Sequence, residues 1–216
     1  MSGLKHITFY LDFISPYAYL AFERLPRALE GLSYSVDYQP VLFAGILQHH
    51  GQLGPAEIEG KRDWTYRQVQ WLAGQQETPL NMPAAHPFNP LALLRLALAC
   101  GDKGQVNRYV CETIFRHVWQ GGYAADDVNR FAELLAGLAP KRDMQDTEVK
   151  SQLKNNTEQA ITKGVFGVPT FLVGDKLFWG LDALPMLRDY LIQDDFFENG
   201  GTWDTASHVG LGIKRK

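Results

Sequence analysis

A short strand that runs directly into a proline-led helix constrains this chain more than any other stretch. His6-Ile7-Thr8-Phe9-Tyr10-Leu11 is followed at once by Asp12-Phe13-Ile14-Ser15-Pro16-Tyr17. Ile7, Phe9 and Leu11 alternate with more polar neighbours, which is the period of a half-buried strand. Ala18, Ala21, Phe22 and Leu25 then recur at helical spacing. Ser15 reads as the N-cap and Pro16 as the first helical residue, where a missing N–H costs nothing and a fixed φ suits the helix. The Ser15 hydroxyl therefore stands among unpaired backbone N–H groups at the positive end of a helix, a place that favours an anion such as a thiolate. Taken alone, the junction reads first as a cap with no chemistry.

A second stretch narrows the choice. Phe166-Gly167-Val168-Pro169-Thr170-Phe171-Leu172-Val173 sets a proline before a β-rich run, and Gly174-Asp175 offers a hairpin turn into Lys176-Leu177-Phe178-Trp179. A strand–helix unit early and a proline-led hairpin late is the order of a thioredoxin-type fold. With these residues the chain resembles the 2-hydroxychromene-2-carboxylate isomerases, in the DsbA-like group that also holds kappa-class glutathione transferases. The matching motifs are Asp12-Phe13-x-Ser15-Pro16-Tyr17, Phe166-Gly167-Val168-Pro169-Thr170 and Trp179-Gly180-x-Asp182, spread from about the first strand to the last helix. The resemblance implies a cis bond before Pro169 that faces the start of the first helix.

Between the two stretches the pattern is helical. Pro26 is expected to kink or shorten the first helix, and Leu32 to Tyr38 reads as a second strand ending before Pro40. Helical spacing then marks Lys61 to Ala73, Leu91 to Cys100, Tyr109 to Trp119, Val128 to Leu138 and Leu153 to Lys163. The fold class is α/β: a thioredoxin-like sheet domain, residues 1–41 and 165–195, interrupted by a large all-helical insert, residues 42–164, in the DsbA-like manner. Residues 196–216 form a C-terminal tail, with Lys214-Arg215-Lys216 read as floppy. The Pro- and Gly-rich pieces 51–55 and 79–90 are loops at the edge of the insert that could cover a cleft.

Composition excludes several partners. A 216-residue chain that is 45% hydrophobic can bury a sizeable core, and a net charge of −3 without a basic stripe argues against nucleic acid or an anionic membrane. No stretch reaches a transmembrane length and no secretory signal pattern opens the sequence, so a cytoplasmic location is expected. Cys100 and Cys111 lie in apolar helical runs and read as buried free thiols. Neither forms a C-x-x-C pair, and the junction carries Ser15 where redox relatives carry cysteine, so any thiol chemistry must come from a bound thiol. His49-His50 is adjacent, no H-E-x-x-H occurs and His117 lies among core residues, so no metal site is expected.

The resemblance assigns the site. Ser15 would be the catalytic group that holds glutathione as its thiolate. The Val168 backbone would pair with the tripeptide, and Trp179, Gly180, Leu181 and Asp182 would hold its γ-glutamyl end. By pattern alone Asp182 reads equally as the cap of the helix from Ala183 to Leu191. Lys61 and His86 are candidate substrate contacts, although His86 reads first as a turn residue of its Pro-rich loop. The activity implied is a glutathione-dependent cis-trans isomerisation of a 2-hydroxychromene-2-carboxylate-like small aromatic carboxylate, in aromatic-compound degradation, by a homodimer. A kappa-class-like transferase or peroxidase and a non-catalytic thioredoxin-fold binding module stay open.

One segment departs from the family. After Gly54-Pro55 polar residues and then Lys-x-x-Tyr-x-x-x-Asp-x-x-Arg are expected. Here Ala56-Glu57-Ile58 and Lys61-x-x-Trp64-x-x-x-Gln68-x-x-Trp71 stand instead. Glu57 would repel a substrate carboxylate if it faced the pocket, and Trp64 and Trp71 would enlarge its apolar wall. The other reading places these residues toward solvent, a dimer contact or the core, with Lys61 or Arg62 supplying the grip.

Overall fold

The computed structural model describes residues 4–102, 104–193, 195–197, 202–206, 210 and 212. Strand β1, Lys5–Leu11, feeds helix α1, Pro16–Ala28, and β2, Tyr34–Pro40, returns parallel to β1 with Ile7 opposite Val36 and Phe9 opposite Tyr38. Six helices follow: α2 Phe43–His49, α3 Glu59–Gln75, α4 Leu91–Cys100, α5 Arg108–Trp119, α6 Val128–Leu138 and α7 Thr147–Thr162. The chain then re-enters the sheet through β3, Thr170–Val173, which pairs antiparallel with β1 and turns at Gly174 into β4, Lys176–Trp179. Strand order is β2-β1-β3-β4. Helix α8, Leu184–Leu191, and the short α9, Thr202–Ala206, close the described chain. This is the expected thioredoxin-like sheet interrupted by helices.

The alternation read in β1 decides which side of the sheet is which. Ile7, Phe9 and Leu11 enter the main core with Phe22, Phe115 and Phe171, whereas Tyr10 points to the opposite face and a smaller cluster with Val41, Ile46, Val165 and Leu172. Phe9 and Phe171 sit opposite each other in the pairing, with ring centroids 4.5 Å apart, the cross-strand contact that most directly stabilises such a sheet. Two helices match their sequence boundaries, Leu91–Cys100 and Val128–Leu138. Helix α7 starts six residues earlier than its apolar run, at Thr147 after Asp146.

Pro26 neither shortens α1 nor ends it, because the helix continues to Ala28. A proline at that position deprives the Phe22 carbonyl of its helical partner. Arg108 of α5 takes the partner's place, its Nη1 donating to Phe22 O at 3.4 Å while the guanidinium lies 4.1 Å over the Phe22 ring. Strand β2 likewise runs two residues past the expected end. Pro40 is its last residue, opposite Leu11, on a strand at the end of the sheet where a missing N–H is tolerated. In the tail, Phe197 is buried and packs its ring against Phe178, Tyr190 and Trp203. Lys214, Arg215 and Lys216 lie outside the described residues. Among the described residues no helix is long and apolar enough to cross a membrane, and no His/Cys/Asp/Glu group could hold a metal.

Candidate active site

The four residues between β1 and α1 are fixed from every side. Asp12 is fully buried, and its two carboxylate oxygens accept from Ile14 N–H at 3.1 Å and Phe43 N–H at 2.9 Å, tying the junction to the first helix of the insert. Burial pushes its carboxyl up from 3.8 to about 7, against the pull of those backbone bonds. The Phe13 carbonyl accepts from the indole N–H of Trp119 at 3.0 Å, and the Ile14 carbonyl accepts from His86 Nε2 at 2.8 Å. The insert thus clamps the loop that presents Ser15.

Ser15 does cap α1. Its extended backbone precedes the helix, its Oγ accepts from Ala18 N–H at 3.2 Å, and Pro16 follows in the first turn. The residue is 6% exposed. Its hydroxyl proton points at the Val168 carbonyl across 3.5 Å, a contact at the outer limit of a hydrogen bond and readily exchanged for a stronger acceptor. Val168-Pro169 is cis. The Val168 N–H makes no hydrogen bond to another described residue. The main-chain edge of Val168 therefore lies beside the anion-favouring end of α1.

Trp179 to Asp182 form the third side. Gly180 N–H donates to the Pro169 carbonyl at 2.9 Å, and Gly180 has φ +100°, which a side chain would resist. Gly167 is required for a different reason: a Cβ there would stand 2.6 Å from Trp179 Nε1. The indole of Trp179 is 54% exposed and meets Phe166 with ring centroids 4.9 Å apart, an aromatic pair at the rim. Asp182 does not cap α8. It lies in a 3₁₀ turn, Leu181–Ala183, and α8 starts after Ala183 without a side-chain cap. Its exposed carboxylate is left free of hydrogen bonds to other described residues, which suits an ammonium group in the cleft.

All eight sequence candidates, Ser15, Lys61, His86, Val168, Trp179, Gly180, Leu181 and Asp182, line one cleft of about 1860 Å³. His86 is more than a turn residue, although its Pro-rich loop does turn there. It is half-buried, its Nε2–H is committed to Ile14, and its Nδ1 meets the Tyr66 hydroxyl at 2.8 Å. Burial lowers its pKa below the ordinary 6.5, so it stays neutral and positions the loop. Glu57 bonds back to the Gly54 N–H, which ties its carboxylate to its own 3₁₀ turn. Trp64 and Trp71 do not build the apolar wall. Both are 63% exposed on the outer face of α3, and the cleft takes Thr65, Gln68 and Leu72 from that helix instead.

Four positioning residues escaped the sequence reading: Asp12 as a buried acid, Trp119, Tyr66 and Tyr17, whose hydroxyl donates to Gln68 Oε1 at 2.6 Å. Asp12 left a trace, as the lone acid ending an apolar strand. Trp119 left none, because its partner is a backbone carbonyl 106 residues away. The two cysteines are free and stand outside the cleft, Cys111 fully buried in α5 and Cys100 at the end of α4, with burial pushing both thiols up.

Comparison with known proteins agrees with this geometry. The family model of the DSBA-like thioredoxin domain matches residues 6–192. A 2-hydroxychromene-2-carboxylate isomerase of Pseudomonas sp. (strain C18) is 30% identical, over 85% of this chain and 88% of that protein. Glutathione S-transferase kappa 2 of Caenorhabditis elegans is 27% identical, over 89% of this chain and 94% of its own length. A solved 2-hydroxychromene-2-carboxylate isomerase structure superposes with a TM-score of 0.76 at 26% identity, covering 87% of this chain and 95% of that one. The chain belongs to the 2-hydroxychromene-2-carboxylate isomerase family of DSBA-like thioredoxin-domain proteins.

Proposed function

We propose that the cleft binds glutathione with its sulfur at Ser15 and uses it to isomerise a 2-hydroxychromene-2-carboxylate-like compound in aromatic-compound degradation. The observation that carries this reading is the Ser15 hydroxyl at the N-terminus of α1 beside the open main-chain edge of Val168, in a cleft that holds no cysteine of its own. The residues fit the tripeptide: a free backbone N–H for its cysteine, a free carboxylate at Asp182 for its ammonium, and a helix end for its charge. When bound, glutathione supplies the thiolate that adds reversibly to the conjugated double bond and lets the resulting single bond rotate.

The chain's own residues make that thiolate available. Ser15 exchanges its 3.5 Å contact with Val168 for a charge-assisted bond to sulfur. Together with the N–H groups of the first turn this lowers the thiol pKa from about 8.5 toward neutrality. Asp12, His86 and Trp119 hold the loop so that no reorganisation is needed when charge moves onto or off the sulfur. Lys61, at the start of α3, lines the same cleft and would receive the substrate carboxylate.

The test pairs binding with turnover. Glutathione at one hundred times Kd should stabilise the protein by about 2.7 kcal/mol. Ser15→Ala should cost about 0.5–2 kcal/mol of stability as a lost cap while turnover falls far more. A melting temperature that is flat in glutathione, or unchanged turnover in the variant, counts against the reading. The kappa-class relatives support a second one, glutathione transfer to an electrophile, which a net loss of free glutathione during turnover would reveal.

A further inference from the structure

The cleft is longer than glutathione. At about 1860 Å³ it exceeds the roughly 300–1,000 Å³ of an ordinary small-molecule site, and its lining does not end at Ser15 and Asp182. Its floor continues along α1, where Tyr17, Arg24 and Ala28 fall on one face at helical spacing and all reach the cleft. Leu72 of α3 and Gln76, just past the end of that helix, form one wall, and Leu184, Pro185 and Arg188 of α8 form the other. At a rise of about 1.5 Å per residue, Arg24 and Arg27 lie roughly 13–18 Å along α1 from Ser15. The γ-glutamyl arm of glutathione, the longer of its two, reaches about 7 Å from the cysteine, roughly the length of two residues.

The far section has its own chemistry. Three cations line it, Arg24, Arg27 and Arg188, against one carboxylate, Glu30. Arg188 is held in place by its Nη1, which donates to the Ala28 and Glu30 carbonyls at 2.9 and 3.0 Å. The rest of its guanidinium remains for a ligand. A section lined by three guanidinium groups fits carboxylates, which arginine holds in bidentate pairs. An alkyl or purely aromatic tail would leave these cations without a partner.

We infer that the far half of the cleft, over α1 between α3 and α8, binds the extension of an acidic thiol peptide longer than glutathione. Its carboxylates meet Arg24, Arg27 and Arg188. The inference rests on the reading that Ser15 holds the thiol, and it makes the physiological thiol a peptide whose acidic end lies about two to three residues beyond glutathione.

The experiment is a molecular ruler read by isothermal titration. Glutathione is compared with two peptide series in which alanines of increasing number, ending in Glu-Glu, extend either its γ-glutamyl amine or its glycine. In one series the affinity should rise about tenfold over glutathione when two to three residues intervene, the gain expected of several partly exposed charge pairs. The same peptide ending in Ala-Ala should lack the gain. The Arg24→Gln, Arg27→Gln double variant, with its fold checked by circular dichroism, should lose it as well. A gain absent at every length, or one that survives in the double variant, overturns the inference. If glutathione binds and no extension helps, only this inference falls. If the long acidic peptide binds with the arginine dependence while glutathione does not, the inference stands and the glutathione reading falls. If no peptide binds, both fall.

Discussion

Replacing Asp12 by Asn should make the pH dependence of stability lose one proton's worth of slope, with a crossing between variant and parent. Asp12 is fully buried, and burial raises its carboxyl from 3.8 to about 7. The unfolded chain releases this proton near 3.8 and the folded protein holds it to about 7, so the folded state binds more protons in between. Its contribution is fully present below about pH 4 and is lost as pH rises through about 7. The interval corresponds to roughly 4 kcal/mol, with a slope of at most about 1.4 kcal/mol per pH step of one. Asn cannot titrate, but it can accept from only one of the Ile14 and Phe43 N–H groups, which costs about 1–3 kcal/mol. The variant should therefore be the less stable protein at pH 5 and match or exceed the parent at pH 8. His86 and His117, whose pKa values burial lowers, contribute with the opposite sign, losing stability as pH falls below 6.5. They are common to both proteins and cancel in the difference. Urea unfolding from about pH 4 to about pH 8 measures it. A difference between the two curves that stays constant across that window would refute the buried, late-titrating carboxyl.

Three further outcomes follow from single contacts. Gly167→Ala places a Cβ 2.6 Å from Trp179 Nε1, so the indole must leave the rim. Glutathione affinity should fall severalfold while the melting temperature moves by about 2–4 °C or less, and unchanged affinity would remove Trp179 from the binding surface. Trp119→Phe leaves the Phe13 carbonyl without its indole donor, costing about 1–3 kcal/mol. Turnover should drop along with stability, since the same bond positions Ser15, and a loss of stability at constant kcat would make Trp119 a packing residue only. On the parent 2-hydroxychromene-2-carboxylate, kcat/KM should lie below about 10⁴ M⁻¹s⁻¹, and Lys61→Gln should raise KM by up to about fivefold, the value of one exposed charge pair. Efficiency at or above that bound would show that the departures around Lys61 do not govern substrate choice.

What was legible in the sequence was local chemistry. The Ser15-Pro16 cap, the alternation of Ile7, Phe9 and Leu11, and the Pro169-led hairpin each express their structure within a few residues, and each stands as read. Two of the departures share one cause, a distant partner that overrides the local preference. Pro26 stays inside α1 because Arg108 supplies the missing donor. His86 adds to its turn role a bond to the Ile14 carbonyl, 72 residues away in sequence. Of the two readings of Trp64 and Trp71 the outward one holds, because α3 turns Thr65, Gln68 and Leu72 toward the cleft and both indoles away from it. Asp182 failed as a cap because the positive φ of Gly180 starts a 3₁₀ turn before the helix can begin.

The division of labour between sheet and insert explains how one frame can serve relatives named isomerases and relatives named glutathione transferases. Every group proposed to touch the thiol comes from the sheet domain: Ser15 at the end of β1, Val168 before β3, and Trp179 to Asp182 after β4. The insert restrains those groups through three bonds, from the Phe43 N–H to the Asp12 carboxylate and from the Trp119 and His86 side chains to the Phe13 and Ile14 carbonyls. The Phe43 bond comes from the insert's main chain, so it places no demand on that side chain. Part of the remaining wall, Leu47 of α2, Leu53 and Ile58 in the connection after it and Lys61 at the start of α3, makes none of these bonds. Substitutions there can reshape the substrate end while the clamp on Ser15 stays intact. Differences in substrate among such proteins should therefore concentrate between residues 42 and 61, and differences in thiol affinity should follow the three sheet-borne segments. Exchanging residues 51–61 for the corresponding segment of the Pseudomonas isomerase should move substrate preference and leave glutathione affinity in place. A chimera that loses glutathione binding while remaining folded would break that separation.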